Sequence, residues 1–171
     1  TLFRSTIASN RTYAIGNNIN VAAGTDDSLA FGTRAAVGGS NAIAIGTSAK
    51  ASSSDGIALG NTASSKTDGA ISIGIRSVSG DGDAVSGITP TSGNKSISIG
   101  YESVANRYDT IAMGIQASTQ AADPGVAPWD AVAIGSSAIS TGKKSLALSK
   151  DAYAKDDNSV ALGSGTITRE A

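Results

Sequence analysis

Apolar and polar residues alternate along this chain in short bursts. In Ala42-Ile43-Ala44-Ile45-Gly46 two isoleucines flank a small residue and a glycine closes the run. Alternation over so few residues predicts a β-strand with both isoleucines on one face. Ten such bursts occur, closing at Gly16, Gly32, Gly46, Gly60, Gly74, Gly100, Gly114, Gly135, Ser149 and Gly163. With the closing residue counted as zero, positions -3 and -1 are large and apolar in every copy, from Tyr13 and Ile15 to Val160 and Leu162. A second, weaker alternation at +3 and +5, as in Ala49 and Ala51 or Ala152 and Ala154, predicts a second strand. Six of the nine steps between copies are 14 residues, so two strands and two corners make one unit. A period this regular predicts stacked parallel coils, because one coil cannot bury its apolar face alone. Ten coils would form a column of about 48 Å.

The faces of the strands follow from the same positions. The large -3 and -1 side chains are expected to fill the roll, facing the small +3 and +5 residues, while +2 and +4 vary freely and face solvent. Position -2 is Ala14, Ala30, Ala44, Ala58, Ser72, Ser98, Ala112, Ala133, Ala147 and Ala161, never anything larger. A solvated strand face would drift toward Thr, Lys and Glu, so this column is expected to pack closely against another surface, burying the strand on both sides. These ten residues are the candidate subunit interface.

The recurrent glycine suits a corner where φ is positive, and Ser149 is expected to mark a locally altered turn. The opposite corner carries mostly turn formers, such as Asn41, Asp55, Gly69, Asp109 and Lys144. Three steps are longer than 14. Two extra residues fall around Ala22 to Asp27, twelve in an insertion at 79–94 and seven in one at 120–130. All three prolines, Pro90, Pro124 and Pro128, lie in the last two, as expected where no ladder hydrogen bond is needed. The whole chain, 1–171, reads as a single all-β domain.

Composition narrows the function. Only 4% of residues are aromatic, which argues for a thin layered interior. Thirteen basic residues balance 14 acidic ones, so no overall field draws nucleic acid or anionic lipid. Histidine and cysteine are absent, which removes Ser-His-Asp and Cys-His nucleophile systems, disulfides and nearly every zinc site. No enzyme activity, metal or cofactor is expected. No apolar run approaches the roughly 20 residues of a membrane span, and no signal peptide opens at Thr1; the segment is expected to be soluble and cut from a longer chain.

Few residues stand out as binding candidates, and they cluster in the insertions. Asp81-Gly82-Asp83 resembles a fragment of a calcium loop, but the further oxygen ligands are missing, so a solvated loop is favoured. Trp129, the single tryptophan, either anchors a partner or folds back as a lid over the coil ladder. Lys143 and Lys144 beside Lys150 make a small basic spot of the kind usual at a solvated corner. Candidate contact residues are Tyr108, Asp123, Val126 and Trp129 near one insertion and Asp81, Asp83 and Ile88 in the other; clasping a neighbouring subunit is an equal alternative use of the insertions. A hexapeptide-type acyltransferase column has a different period and commonly a catalytic histidine, and an ice-binding column needs a regular threonine array. Neither pattern is present.

The phrases Ala42-Ile43-Ala44-Ile45-Gly46 and Asn158-Ser159-Val160-Ala161-Leu162-Gly163, at this period, resemble the head repeats of trimeric autotransporter adhesins, the YadA-like head. The resemblance runs from about Arg11 to Thr168. It implies a left-handed parallel β-roll packed side by side as a homotrimer and displayed on the Gram-negative outer membrane through a stalk and anchor outside this segment. The implied function is attachment to host cells or extracellular matrix of the collagen, fibronectin or laminin type, a virulence role, with autoaggregation or biofilm formation as further uses. A passive spacer lifting another binding head is the alternative.

Overall fold

Each coil hands its backbone hydrogen bonds to the next. In the computed structural model, which describes residues 5–80, 95–119 and 128–168, the bursts form a ten-stranded parallel sheet. Its strands are Tyr13–Ile15, Leu29–Phe31, Ile43–Ile45, Ile57–Leu59, Ile71–Ile73, Ile97–Ile99, Ile111–Met113, Val132–Ile134, Leu146–Leu148 and Val160–Leu162. Register follows the repeat: Ala44 lies opposite both Ala30 and Ala58. Neither large insertion disturbs it, since Ile71 still pairs with Ile97 and Ile111 with Val132.

The second half of each coil forms the other wall. Two-residue strands from Thr6–Ile7 through Lys50–Ala51 to Val104–Ala105 make a seven-stranded parallel sheet. Single bridges through Ser118 carry it on to Ile139–Ser140 and Tyr153–Ala154, and Tyr153 bridges to Ile167. Among the described residues there is no helix. The product is a parallel β-solenoid of about ten turns. The first large departure from the period begins after Gly80, because Ser79 is paired with Ser65 and Ala105 and the Gly80 N–H still donates to the Ala105 carbonyl at 2.9 Å.

The interior reverses one expectation. Ala42, Ala44, Ala49 and Ala51 are each 0% exposed, and the same four positions, -4, -2, +3 and +5, line the roll in coil after coil. Ile43 and Ile45 point outward and are only half-buried. The -2 residues expected at a subunit interface are therefore inside the chain's own roll: Ala30, Ala44, Ala58, Ser72, Ser98, Ala112, Ala133, Ala147 and Ala161 are fully buried, and Ala14 packs against them at the open end. The reason is width. Sheets carrying ordinary side chains stand about 10 Å apart, but each coil reverses within a few residues at both corners, and along most of the roll the interior takes only methyl- and hydroxymethyl-sized groups. Ile19, Val21 and Val37, near the N-terminal end, are the larger apolar residues it admits; the large residues at -3 and -1 go outside. Where serine replaces alanine within the roll, its hydroxyl can find a partner across it, as in Ser72 with Ser77 at 2.8 Å and Ser98 with Ser103 at 2.7 Å, whereas the buried hydroxyls of Ser79, Ser96 and Thr119 make no such bond.

The corners explain the glycine and the residues around it. Arg34, Ser48, Thr62 and their equivalents at +2, and Asn41, Asp55 and Asp109 at -5, all have φ between 51° and 59°. Two left-handed residues per coil turn the chain twice. Gly46 itself has φ 133°, and a Cβ there would lie 2.4 Å from the Gly60 carbonyl oxygen. The glycine thus permits both the turn and the close stacking of coils. Ser149 adopts φ 123°, within the range of the glycines, so its turn keeps the common form. The difference lies one coil on: the Gly163 N–H reaches the Leu148 carbonyl at 3.1 Å, against 2.8 Å for Gly46 to Phe31.

Candidate binding surfaces

The outward face of the ten-stranded sheet is apolar along its length. Its two columns contain ten residues each, beginning at Tyr13 and Ile15 and ending at Val160 and Leu162, without one charge or amide among them. Exposure is greatest at the two ends, 73% for Tyr13 and 65% for Leu162. In three consecutive coils the apolar surface continues around the glycine corner through Ile75, Tyr101 and Ile115. Beyond it runs a polar ladder in which Arg76 pairs with Glu102 and bonds the Tyr101 hydroxyl, and the Gln116 amide donates to Glu102 at 3.0 Å. Contiguous apolar faces of this extent are rare on proteins that act as free monomers. Sequence reasoning placed these columns inside. The signal that points the other way is numerical: four columns are small and only two are large, and a closed coil can hold just one of these sets.

A second surface forms at the opposite corner, where Trp129 is 49% exposed and stands beside Tyr108 rather than lying over the ladder as a lid. The two rings meet edge to face, with centroids 6.0 Å apart and planes at 84°. The Lys143 ammonium lies 5.5 Å from the Trp129 ring centre on the following coil, a cation–π distance. Asp109 and Asp130 flank the rings, and the four residues Tyr108, Asp109, Trp129 and Asp130 line an open cleft of about 410 Å³. Lys150 pairs instead with Asp151 at 3.6 Å, so the expected basic spot is divided between two corners.

The other contact candidates, Asp81, Asp83, Ile88, Asp123 and Val126, lie outside the described residues. At the N-terminal end Arg11 donates through Nε and Nη2 to the Asp27 carboxylate at 2.5 and 2.7 Å, and this hydrogen bond holds Asp27 below the usual carboxylate range. Among the described residues no group of three or more His, Cys, Asp or Glu side chains is placed to hold a metal ion. No helix of the described residues is long and apolar enough to cross a membrane.

The class so defined is a parallel β-solenoid with a small-residue interior and one apolar outer wall. The YadA head domain repeat model matches residues 26–49, 38–63, 92–121, 130–148 and 150–166, together more than half of the chain, and the chain belongs to that family of adhesin heads. A comparison with curated proteins found no match.

Proposed function

We propose that this chain is the adhesive head of a trimeric autotransporter, with three copies packed side by side through the apolar wall of the ten-stranded sheet. That wall is the observation that carries the reading: twenty large apolar side chains would otherwise face water, and sister chains bring faces of matching chemistry. In the trimer the short-strand sheets and the Tyr108–Trp129 corner face outward, where contact with a host surface or matrix protein is made. Left-handed coiling, the single-domain extent of 1–171 with its two insertions, and attachment to the Gram-negative outer membrane through a stalk and anchor belong to the same proposal. So do host matrix proteins as partners and roles in virulence, autoaggregation and biofilm. Family membership and the solenoid both favour a non-enzymatic role.

Light scattering coupled to gel filtration should give three chains per particle, and a monomer at micromolar concentration would overturn the assembly. The intact head is then applied to immobilised collagen, fibronectin and laminin and to host cells. Saturable binding to any of these supports adhesion; its absence from all of them favours the passive spacer.

A further inference from the structure

The corner that holds Tyr108 and Trp129 has a structural job in other coils. In four coils the residue just before the left-handed corner position, Asp26, Ser40, Asp68 or Asp157, caps a backbone N–H of the preceding coil with a side-chain oxygen; Lys143 holds the same register without doing so. The Asn10 N–H donates to Asp26 Oδ1 at 3.0 Å, the Asp26 N–H to Ser40 Oγ at 3.1 Å, the Ser54 N–H to Asp68 Oδ1 at 3.1 Å and the Lys143 N–H to Asp157 Oδ1 at 2.8 Å. Tyr108 and Trp129 occupy this register in two successive coils. Neither an indole, which has no acceptor, nor a phenol hydroxyl at the far end of its ring can make the short cap. These two coils present aromatic surface where four others present a polar cap.

The rings nevertheless stand on rigid rungs. The Asp130 N–H donates to the Tyr108 carbonyl at 3.1 Å and the Lys144 N–H to the Trp129 carbonyl at 2.7 Å, the same ladder seen between Asn41 and Asp26 at 3.0 Å. Asp109 and Asp130 are left-handed corner residues, with φ 51° and 54°, so their backbone is carried at a fixed place beside the rings and both side chains line the cleft. The edge-to-face pair forms two walls of a shallow cleft, within the size range of small-ligand sites.

We infer that this cleft is a saccharide-binding subsite that takes a neutral sugar ring. The local charges sum to zero, Asp109 and Asp130 against Lys143 and Lys144. A cationic side chain entering the cleft would meet the Lys143 ammonium already seated over the indole, and an anionic group would meet both carboxylates. A neutral sugar suits both features: its C–H face lies on an aromatic ring, while its hydroxyls donate to the carboxylates and accept from the ammonium in charge-assisted hydrogen bonds. The inference rests on the adhesive reading for its biological use, while the binding itself is measurable alone.

Trp129 is the only tryptophan, so its fluorescence reports the cleft directly. The assembled chain is titrated with glucose, galactose and N-acetylglucosamine and applied to an array of immobilised neutral and anionic oligosaccharides. A saturable emission change at millimolar sugar and capture on neutral glycans are expected. On the array, Trp129→Ala should abolish capture, Trp129→Phe should retain part of it, and Asp130→Asn, which suits the left-handed corner, should weaken it about tenfold. Circular dichroism melts of the variants should match the parent. The subsite is overturned if no neutral saccharide binds, if capture survives Trp129→Ala, or if a lysine-rich peptide or anionic glycans are bound there in preference. Matrix or cell adhesion without saccharide binding refutes the subsite and leaves the adhesive head standing; saccharide binding without adhesion does the reverse.

Discussion

On the ten-stranded sheet the outward positions of every coil are Ile, Leu, Val, Phe, Met or Tyr, whereas on the short-strand sheet the outward position runs Asn20, Ala36, Lys50 and Ser64 before turning to Val78 and Val104. Both sheets share one interior, mostly alanine, serine and threonine, with Ile19, Val21 and Val37 near the N-terminal end. The roll therefore places no demand on what either wall shows outside. A wall that drifts from amide, ammonium and hydroxyl to Val78, Val104, Ile139 and Tyr153 keeps to no one chemistry. One that stays apolar through ten coils is answering to another surface.

Three substitutions separate these roles, from the largest effect to the smallest. Ala44→Leu pushes three carbons into a space that holds a methyl, so it should cost about 3 kcal/mol or more and lower the denaturation midpoint of the roll whether or not it assembles. Retained stability would mean that the interior is wider than described. Ile73→Glu on the apolar wall should leave the circular dichroism of the roll intact but shift light scattering from three chains toward one, since a charge would be buried between copies. Lys50→Glu on the other wall is the control, and its assembly should be unchanged. If both glutamates behave alike, the two walls do not differ in role.

The smallest effect concerns the exposed Arg11–Asp27 pair at the N-terminal end. Because the hydrogen bond from Arg11 lowers the Asp27 pKa in the folded chain, its contribution is present above the unfolded aspartate value near 3.9 and fades as pH falls through the lower folded value. Both groups are exposed, so Arg11→Ala should change the midpoint at neutral pH only slightly. The gap between parent and variant should close in acid; a gap that widens there would show that the pair does not act through charge.

Much of the fold was legible in the repeat. Strand positions, parallel stacking, inward +3 and +5, the turn at the glycine and the corner before each copy followed from the period and from Asn, Asp and Gly at fixed places; the second left-handed residue of each coil, at +2 in Arg34, Ser48 and Thr62, reads in the sequence as an outward strand position instead. The two faces of the first strand are the reverse of what the usual preference of Ile and Leu for the interior implies, because the roll is too narrow to hold the -3 and -1 side chains. Of the contact candidates, Tyr108 and Trp129 are brought together; of their neighbours, Asp109 reads in the sequence as a corner residue, Asp130 as the end of an insertion and Lys143 as part of a basic spot, since pairing across coils depends on which positions stack.

The sequence by itself determined the period, the number of coils, the turn at each glycine and the family, because each of these is written in local spacing and in residues that tolerate particular backbone angles. Only the tertiary structure decided which side of the strand is the core. That choice depends on the distance between two walls, a property of the closed coil that no single strand contains. It turned Ala44 from a contact between chains into the filling of one, and Ile43 and Ile45 from filling into a surface that awaits a partner.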